Sequence, residues 1–201
     1  MQEDVRRAYD VIGPAYAAAR EAEASTPFLA RLDHYLAPDS MVLDLGCGAG
    51  LPVDAWLLAA GHRVIGLDIS DTMLDMARAN IPGAEYRRGD LSALCPSTFA
   101  ADAIVSFFAL FHVDRERHAG VLANWHTQLA PGGYLLLTTG CTDWEGAEAF
   151  FGARMRWSHF DVAAYRRMLP GAGFRILEEG QHPVSGSCIN QWHPVFLAQA
   201  I

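Results

Sequence analysis

The sequence contains no lysine, and its fifteen basic residues are arginines set against twenty-three acids, for a net charge of −8. A protein whose main partner is nucleic acid gathers cations on one face to neutralise phosphates. Here the arginines come as pairs such as Arg6-Arg7, Arg87-Arg88 and Arg166-Arg167, and neighbours in sequence on a helix do not share a face. The charge balance therefore argues against a nucleic-acid partner. The absence of lysine removes the Gly-Lys-Ser/Thr loop that cradles phosphates. Cysteine is sparse: Cys47, Cys95, Cys141 and Cys188 lie far apart, with no CxxC and no Cys/His ligand spacing. Reduced, packed thiols in a cytoplasmic protein without a metal are the expectation. No apolar run reaches 18 residues, so no membrane span is expected. The acidic start Met1-Gln2-Glu3-Asp4 has neither a basic nor an apolar segment of the kind that makes a signal peptide. No repeat, low-complexity tract or linker is visible.

What is present is a compact composition, 51% hydrophobic and 19% charged over 201 residues, the size of one domain with a full core. Residues 3–20 read as one or two helices, with Gly13-Pro14 breaking the middle. A second amphipathic helix covers 27–36. Apolar strands are expected at 41–45, 64–68, 86–88, 103–108 and 134–139, and helices between them at 51–60, at 70–79 with Ser70 as the cap, and at 114–129. Asp161 caps a helix to Met168, and strands follow at 174–177 and 195–200 with only a Gly/Ser/Pro-rich connection, which makes them an antiparallel pair. Alternating strands and helices whose strands are apolar throughout imply a doubly wound α/β sheet, mostly parallel and covered on both faces.

The most informative stretch is Val42-Leu43-Asp44-Leu45-Gly46-Cys47-Gly48-Ala49-Gly50. A strand ends in an acidic residue and three alternating glycines lead into a helix. Dinucleotide sites need G-x-G-x-x-G; here the position of that third glycine holds Leu51, which counts against a nicotinamide-dependent oxidoreductase. The G-x-G-x-G spacing resembles the S-adenosyl-L-methionine (SAM) loop of class I methyltransferases. The segments VIGLDIS, GDL at 89–91, DAIVSFFALFHV at 102–113, LAPGGYLLLT at 129–138 and the late WSHF before YRRMLPGAGFRILEE extend the resemblance over nearly all of 40–200. The resemblance implies a Rossmann-like seven-stranded sheet and one SAM-dependent methyltransferase domain. Within it, residues 1–37 form an N-terminal helical lid, 38–139 a SAM-binding core, and 140–201 an acceptor-side segment with the C-terminal strand pair.

The residues agree with that implication. SAM carries no phosphate, so the loop would serve its amino-acid end, with amides after Gly50 facing the carboxylate and Asp44 the ammonium. Gly46 and Gly48 let backbone come close, and Cys47 between them is counted with the cofactor contacts, its thiol reading as packing and not as a nucleophile. Asp68, about twenty residues on, suits the two ribose hydroxyls. Asp90 suits the exocyclic amine of adenine, with Ile69 and Leu91 flanking the ring. Met73, Ser106 and Phe107 complete the expected cofactor contacts, with S-adenosylhomocysteine (SAH) as product.

Methyl transfer is an in-line displacement that needs alignment, exclusion of water and, for a protonated acceptor, a base. His112 is the first candidate. Its surroundings resemble those in phosphobase N-methyltransferases, where the matching histidine pairs with an N-terminal tyrosine; Tyr16, or failing that Tyr9, is the partner here. His159 is the second candidate, lining the acceptor pocket or capping the next helix, while His118 and His126 read as solvated or structural. Arg20 would reach the SAM carboxylate. Phe107, Phe108, Phe111, Trp144, Phe150, Phe151, Met155 and Trp157 would form pocket walls suited to an apolar or aromatic acceptor, and Asp143, Glu145 and Glu148 would favour an amine. The function expected is O- or N-methylation of a small molecule, without nucleic acid or membrane, by a monomer or homodimer. The alternatives are a non-catalytic SAM/SAH-binding module and, against the charge, a tRNA methyltransferase.

Overall fold

A computed structural model describes residues 2–19, 24–183 and 192–201; Arg20 and Cys188 lie outside the described residues. Helix α1 (Gln2–Ala19) runs unbroken through Gly13-Pro14, contrary to the expected break. Proline removes the N–H that would bond the Asp10 carbonyl, and that carbonyl instead accepts the Thr72 hydroxyl at 3.2 Å. A tertiary contact thus satisfies the group that the sequence left open. The Asp10 carboxylate also accepts the Ser70 hydroxyl at 2.7 Å and pairs with Arg6 at 2.6 Å.

Then follow α2 (Thr26–Asp33), β1 (Met41–Leu45), α3 (Val53–Ala59), β2 (Arg63–Asp68), α4 (Asp71–Asn80), β3 (Glu85–Arg88) and β4 (Ala101–Ser106). The expected cap forms: Ser70 accepts the Met73 N–H at 3.2 Å. The long helix expected at 114–129 is shorter. A 3₁₀ turn at Arg115–Arg117 leads into α5 (His118–His126), and the Arg115 N–H goes to the Ser158 hydroxyl at 2.9 Å. After β5 (Leu129–Thr138) come two strands that the sequence did not disclose, β6 (Trp144–Phe150) and β7 (Ala153–His159), paired as a separate hairpin. Phe151 and Gly152 in its turn both have positive φ, 49° and 88°. Two-residue hairpin turns of this kind usually carry Asn-Gly or Asp-Gly, so Phe-Gly hid the signal. Helix α6 (Val162–Gly171), β8 (Phe174–Pro183) and β9 (Trp192–Ala200) complete the chain. Asp161 caps α6 as expected, accepting the Ala164 N–H at 2.9 Å.

The main sheet has the order β3-β2-β1-β4-β5-β9-β8. Its first five strands are parallel, and β9 is antiparallel to both β5 and β8, which is the expected fold class. One face packs Trp125, Tyr165, Leu169 and Phe174 of α5, α6 and β8 against Leu43, Ile104 and Leu135. The other packs Leu29, Leu32 and Leu57 of α2 and α3 against Val42, Val105 and Leu136. The strand order reverses between β1 and β4, so a crevice opens at their carboxyl ends. Helix α1 and the β6–β7 hairpin share a third apolar cluster, Val5, Ala8, Ile12 and Met155, with Tyr9, Tyr16 and Trp157 against it. Helix α1 lines that crevice, and the hairpin packs against α1. Among the described residues no helix is long and apolar enough to cross a membrane.

Candidate functional site

The crevice is a cleft open to solvent at its mouth. Its floor is the loop after β1. The Gly46 and Cys47 amides donate to the Leu67 carbonyl at 2.7 and 3.1 Å, which ties the loop to the end of β2. Gly46 has φ 83°, and a Cβ there would fall 2.4 Å from that of Ala109, so only glycine lets the loop and the β4 end meet. Gly48, at φ 55°, differs: a Cβ there would meet nothing within 4 Å.

Asp68 is half-buried at the end of β2, with one oxygen accepting the Gly48 N–H at 2.9 Å and the other the Ser70 N–H at 2.8 Å. Burial raises its pKa against these amide bonds. Gly46, Gly48, Asp68, Ile69, Met73, Leu91 and Phe107 line the cleft together, as the sequence led us to expect. Four other expected contacts do not. Asp90 turns one oxygen inward to the Ser92 N–H and hydroxyl at 2.8 and 2.7 Å. Ser106 is fully buried and donates to the Leu45 carbonyl at 2.8 Å. The Cys47 side chain lies under the loop among Leu74, Ala77 and Tyr86, where burial and nearby carboxylates push its pKa well up; such a thiol is a packing group.

Asp44 is the fourth. It is buried and hydrogen-bonded to Asp54, whose carboxylate accepts the Tyr86 hydroxyl at 2.8 Å. Two carboxyl groups bond each other only when one holds a proton, and burial raises the pKa of Asp54. Asp54 stands in the first turn of α3, a place where an acid usually serves only the helix dipole. Its inward orientation left no mark in the sequence.

His112 lies in the 3₁₀ turn Leu110–His112 beyond β4. Its Nδ1 is 2.8 Å from the Arg156 carbonyl of β7 and its Nε2 is 2.9 Å from the Tyr9 hydroxyl. A carbonyl only accepts, so the proton is assigned to Nδ1, and Nε2 accepts from Tyr9. Burial lowers the pKa of His112 to about 4, opposed by the Arg156 carbonyl, so the ring is neutral at pH 7. The Gln2 amide donates to the His112 carbonyl at 3.0 Å. The bonded tyrosine is therefore Tyr9. Tyr16 lines the cleft behind it, edge to face with the Tyr9 ring at 5.4 Å. The two residues lie about two helical turns apart on α1 and share a face; only the tertiary register chose between them.

His159 is held elsewhere. Its Nδ1 bonds the Thr142 carbonyl at 2.6 Å and its ring packs on Trp144, so it neither lines the cleft nor caps α6. His118 is not solvated. It is fully buried between the Tyr165 hydroxyl and the Val113 carbonyl, and burial lowers its pKa to about 4. His126 packs edge-on against Phe174. Of the acids at 143–148, Asp143 and Glu145 pair with Arg115 at the surface and away from the cleft. Gln2, Val5, Leu67, Gly89 and Ala109 also line the cleft without a prior signal; they are ordinary residues brought there by the fold.

Residues 42–133 match a family described as a methyltransferase domain. A trans-aconitate 2-methyltransferase of Acidovorax ebreus is 38% identical over 126 residues, 61% of this chain and 47% of that protein. Phosphoethanolamine N-methyltransferase 1 of Zea mays is 26% identical over 171 residues, 82% of this chain and 33% of that one. The chain spans about half the length, or less, of the curated relatives it matches. Among solved structures, the 1,6-didemethyltoxoflavin-N1-methyltransferase of Burkholderia thailandensis, with bound 1,6-didemethyltoxoflavin and SAH, has a TM-score of 0.74 at 20% identity. That match covers 99% of this chain and 86% of the other, and it speaks for the fold.

Proposed function

We propose, from the match of residues 42–133 to a methyltransferase domain, that this chain is a class I SAM-dependent methyltransferase that methylates an O–H or N–H group of a small molecule. The observation that carries the reading is the Tyr9–His112 pair facing the same cleft as Gly48 and Asp68. SAM supplies a methyl group activated by its sulfonium.

The residues present fit that cofactor. Gly48 leaves open space where any side chain would intrude. Asp68 lines the cleft, and its carboxylate, held by backbone amides, would accept the ribose hydroxyls. Ile69 and Leu91 would hold the adenine between them, and Asp90 has its second oxygen for the amine. Leu67, Met73 and Phe107 supply the apolar wall, and α1 the lid that keeps water from the cleft.

His112 would act as the base. As the acceptor attacks, its proton passes to the Tyr9 oxygen while the Tyr9 proton passes to Nε2; the Arg156 carbonyl steadies the resulting imidazolium through Nδ1–H. A neutral imidazole of low pKa takes this proton only once positive charge has moved onto the acceptor, which keeps it from protonation beforehand. The first test is calorimetry with SAH; no binding ends the reading. His112→Ala should then lower turnover by about 10²-fold or more with SAH affinity intact, and a loss below about threefold returns His112 to packing. SAH binding without transfer to any of a broad acceptor panel would support a non-catalytic module instead.

A further inference from the structure

Phe108 has φ 59°, a region that L-residues other than glycine enter at a cost of roughly 1–2 kcal/mol. Packing alone does not call for it, because a phenylalanine reaches a core from ordinary backbone. The neighbouring structure enforces the conformation. The Thr138 hydroxyl at the end of β5 accepts the Phe108 N–H at 2.6 Å. His182 and His193, directly opposite each other on β8 and β9, stand perpendicular to the Phe108 ring at 4.9 and 5.4 Å. The ring so held is only half-buried and lines the cleft beside Tyr9, Tyr16 and His112. Strain kept in place by two further strands, at the mouth of a cleft, points to use rather than to packing.

We infer that Phe108 selects the acceptor: its braced ring is a flat wall against which a planar aromatic or heteroaromatic acceptor stacks with its O–H or N–H toward Tyr9 and His112. Thr138 is the positioning residue that holds this wall. The inference rests on the methyl-transfer reading of the same cleft and narrows it. Among the described residues lining the cleft there is no arginine, and Asp68 contributes a carboxylate. Those residues favour a ring over a polycarboxylate such as the aconitate named for several relatives, since Phe108 and the two tyrosines offer aromatic surface and Asp68 a like charge.

The test uses the full chain saturated with SAH and ligand-observed NMR titrations of 8-hydroxyquinoline, 1-naphthol and catechol, with citrate as the polycarboxylate. At least one of the three rings binds the wild type, and citrate does not. Phe108→Gly, whose backbone accepts φ 59° without strain, and Phe108→Leu, which keeps bulk without a flat face, each bind that ring roughly tenfold more weakly. Their SAH affinity stays within about threefold of wild type, a change of less than 1 kcal/mol. Thr138→Val weakens the ring in the same way and Thr138→Ser restores it, which loss of packing volume would not produce. The inference is overturned if none of the rings binds SAH-loaded wild type, if citrate binds as well as they do, if both Phe108 variants bind unchanged, or if Thr138→Ser is as weak as Thr138→Val. Failure of the wild type to bind SAH defeats the underlying reading instead, so the two failures are told apart.

Discussion

At the scale of single residues, chemistry here follows from which lone pair is left over after the backbone has taken its share. The Arg156 carbonyl claims the Nδ1 proton of His112, and that choice turns Nε2 into an acceptor for Tyr9. Tyr9→Phe removes the relay hydroxyl and leaves Nε2 facing an apolar edge. It should lower kcat roughly five- to tenfold, the worth of one hydrogen bond. Tyr16→Phe should change kcat by less than about twofold, well under 1 kcal/mol, with SAH affinity the same in both. Equal losses in a steady-state assay would contradict the assignment to Tyr9. Because burial holds His112 near pKa 4, kcat/KM should be level from pH 8 to 6.5, without the step an ordinary imidazole gives at about 6.5; such a step in the profile would show that the base is another group. The placement of Asp68, Ile69, Leu91 and Met73 at the cleft was legible because each sits just beyond a strand or in a first helical turn fixed by local pattern. The Tyr9 pairing, the inward turn of Ser106 and the Asp44–Asp54 contact were not, since each depends on where a distant element docks.

At the scale of elements, legibility followed periodicity. The expected strand at 41–45 coincides with β1, and Ser70 caps α4, because an apolar run and a cap hydroxyl are local signals. Helix α1 defied its Gly-Pro pair because the Thr72 hydroxyl, sixty-two residues away, takes the orphaned carbonyl. The β6–β7 hairpin escaped notice because its turn residue is Phe151, at φ 49° and 46% exposed. Asparagine tolerates that conformation better. Phe151→Asn should therefore stabilise the protein by about 0.5 kcal/mol, less what is lost from ring contacts with Phe150 and Tyr16. A fall in the urea midpoint would mean that those ring contacts, and not the turn, govern the hairpin.

At the scale of the whole molecule, buried ionisable groups pull stability in opposite directions with pH. His112 and His118 stay neutral down to about pH 4 in the folded state, while unfolded imidazoles take protons below about 6.5. Their share of stability is complete above about pH 6.5 and is lost as pH falls toward 4. Asp54 and Asp68 act the other way. Burial raises their pKa values, so the fold holds protons that unfolded carboxylates give up above about 4, and stability falls as pH rises through that window. Burial lowers the pKa values of His159 and His193 as well, so the histidines outnumber the two carboxyl groups and stability should fall toward acid. Asp54→Asn removes one opposing group and keeps an acceptor for Tyr86. Its unfolding free energy should climb more steeply than wild type between pH 4.5 and 6.5, by up to about 1.4 kcal/mol per pH unit. Urea titrations at several pH values read this directly, and parallel curves would show that Asp54 is ionised throughout.

The sequence by itself determined the alternation of strands and helices, the glycine loop with Asp68 beyond it, and the capped starts of α4 and α6. These rest on interactions spanning a few residues, where spacing and residue type suffice. The tertiary structure alone decided that α1 lines the crevice with the β6–β7 hairpin packed against it, that Tyr9 rather than Tyr16 meets His112, and that Thr138 and two histidines of β8 and β9 hold Phe108 at the cleft. Each of these is a contact between groups far apart in the chain, and no local preference encodes which of several equivalent side chains the docking of a helix or strand will bring into reach.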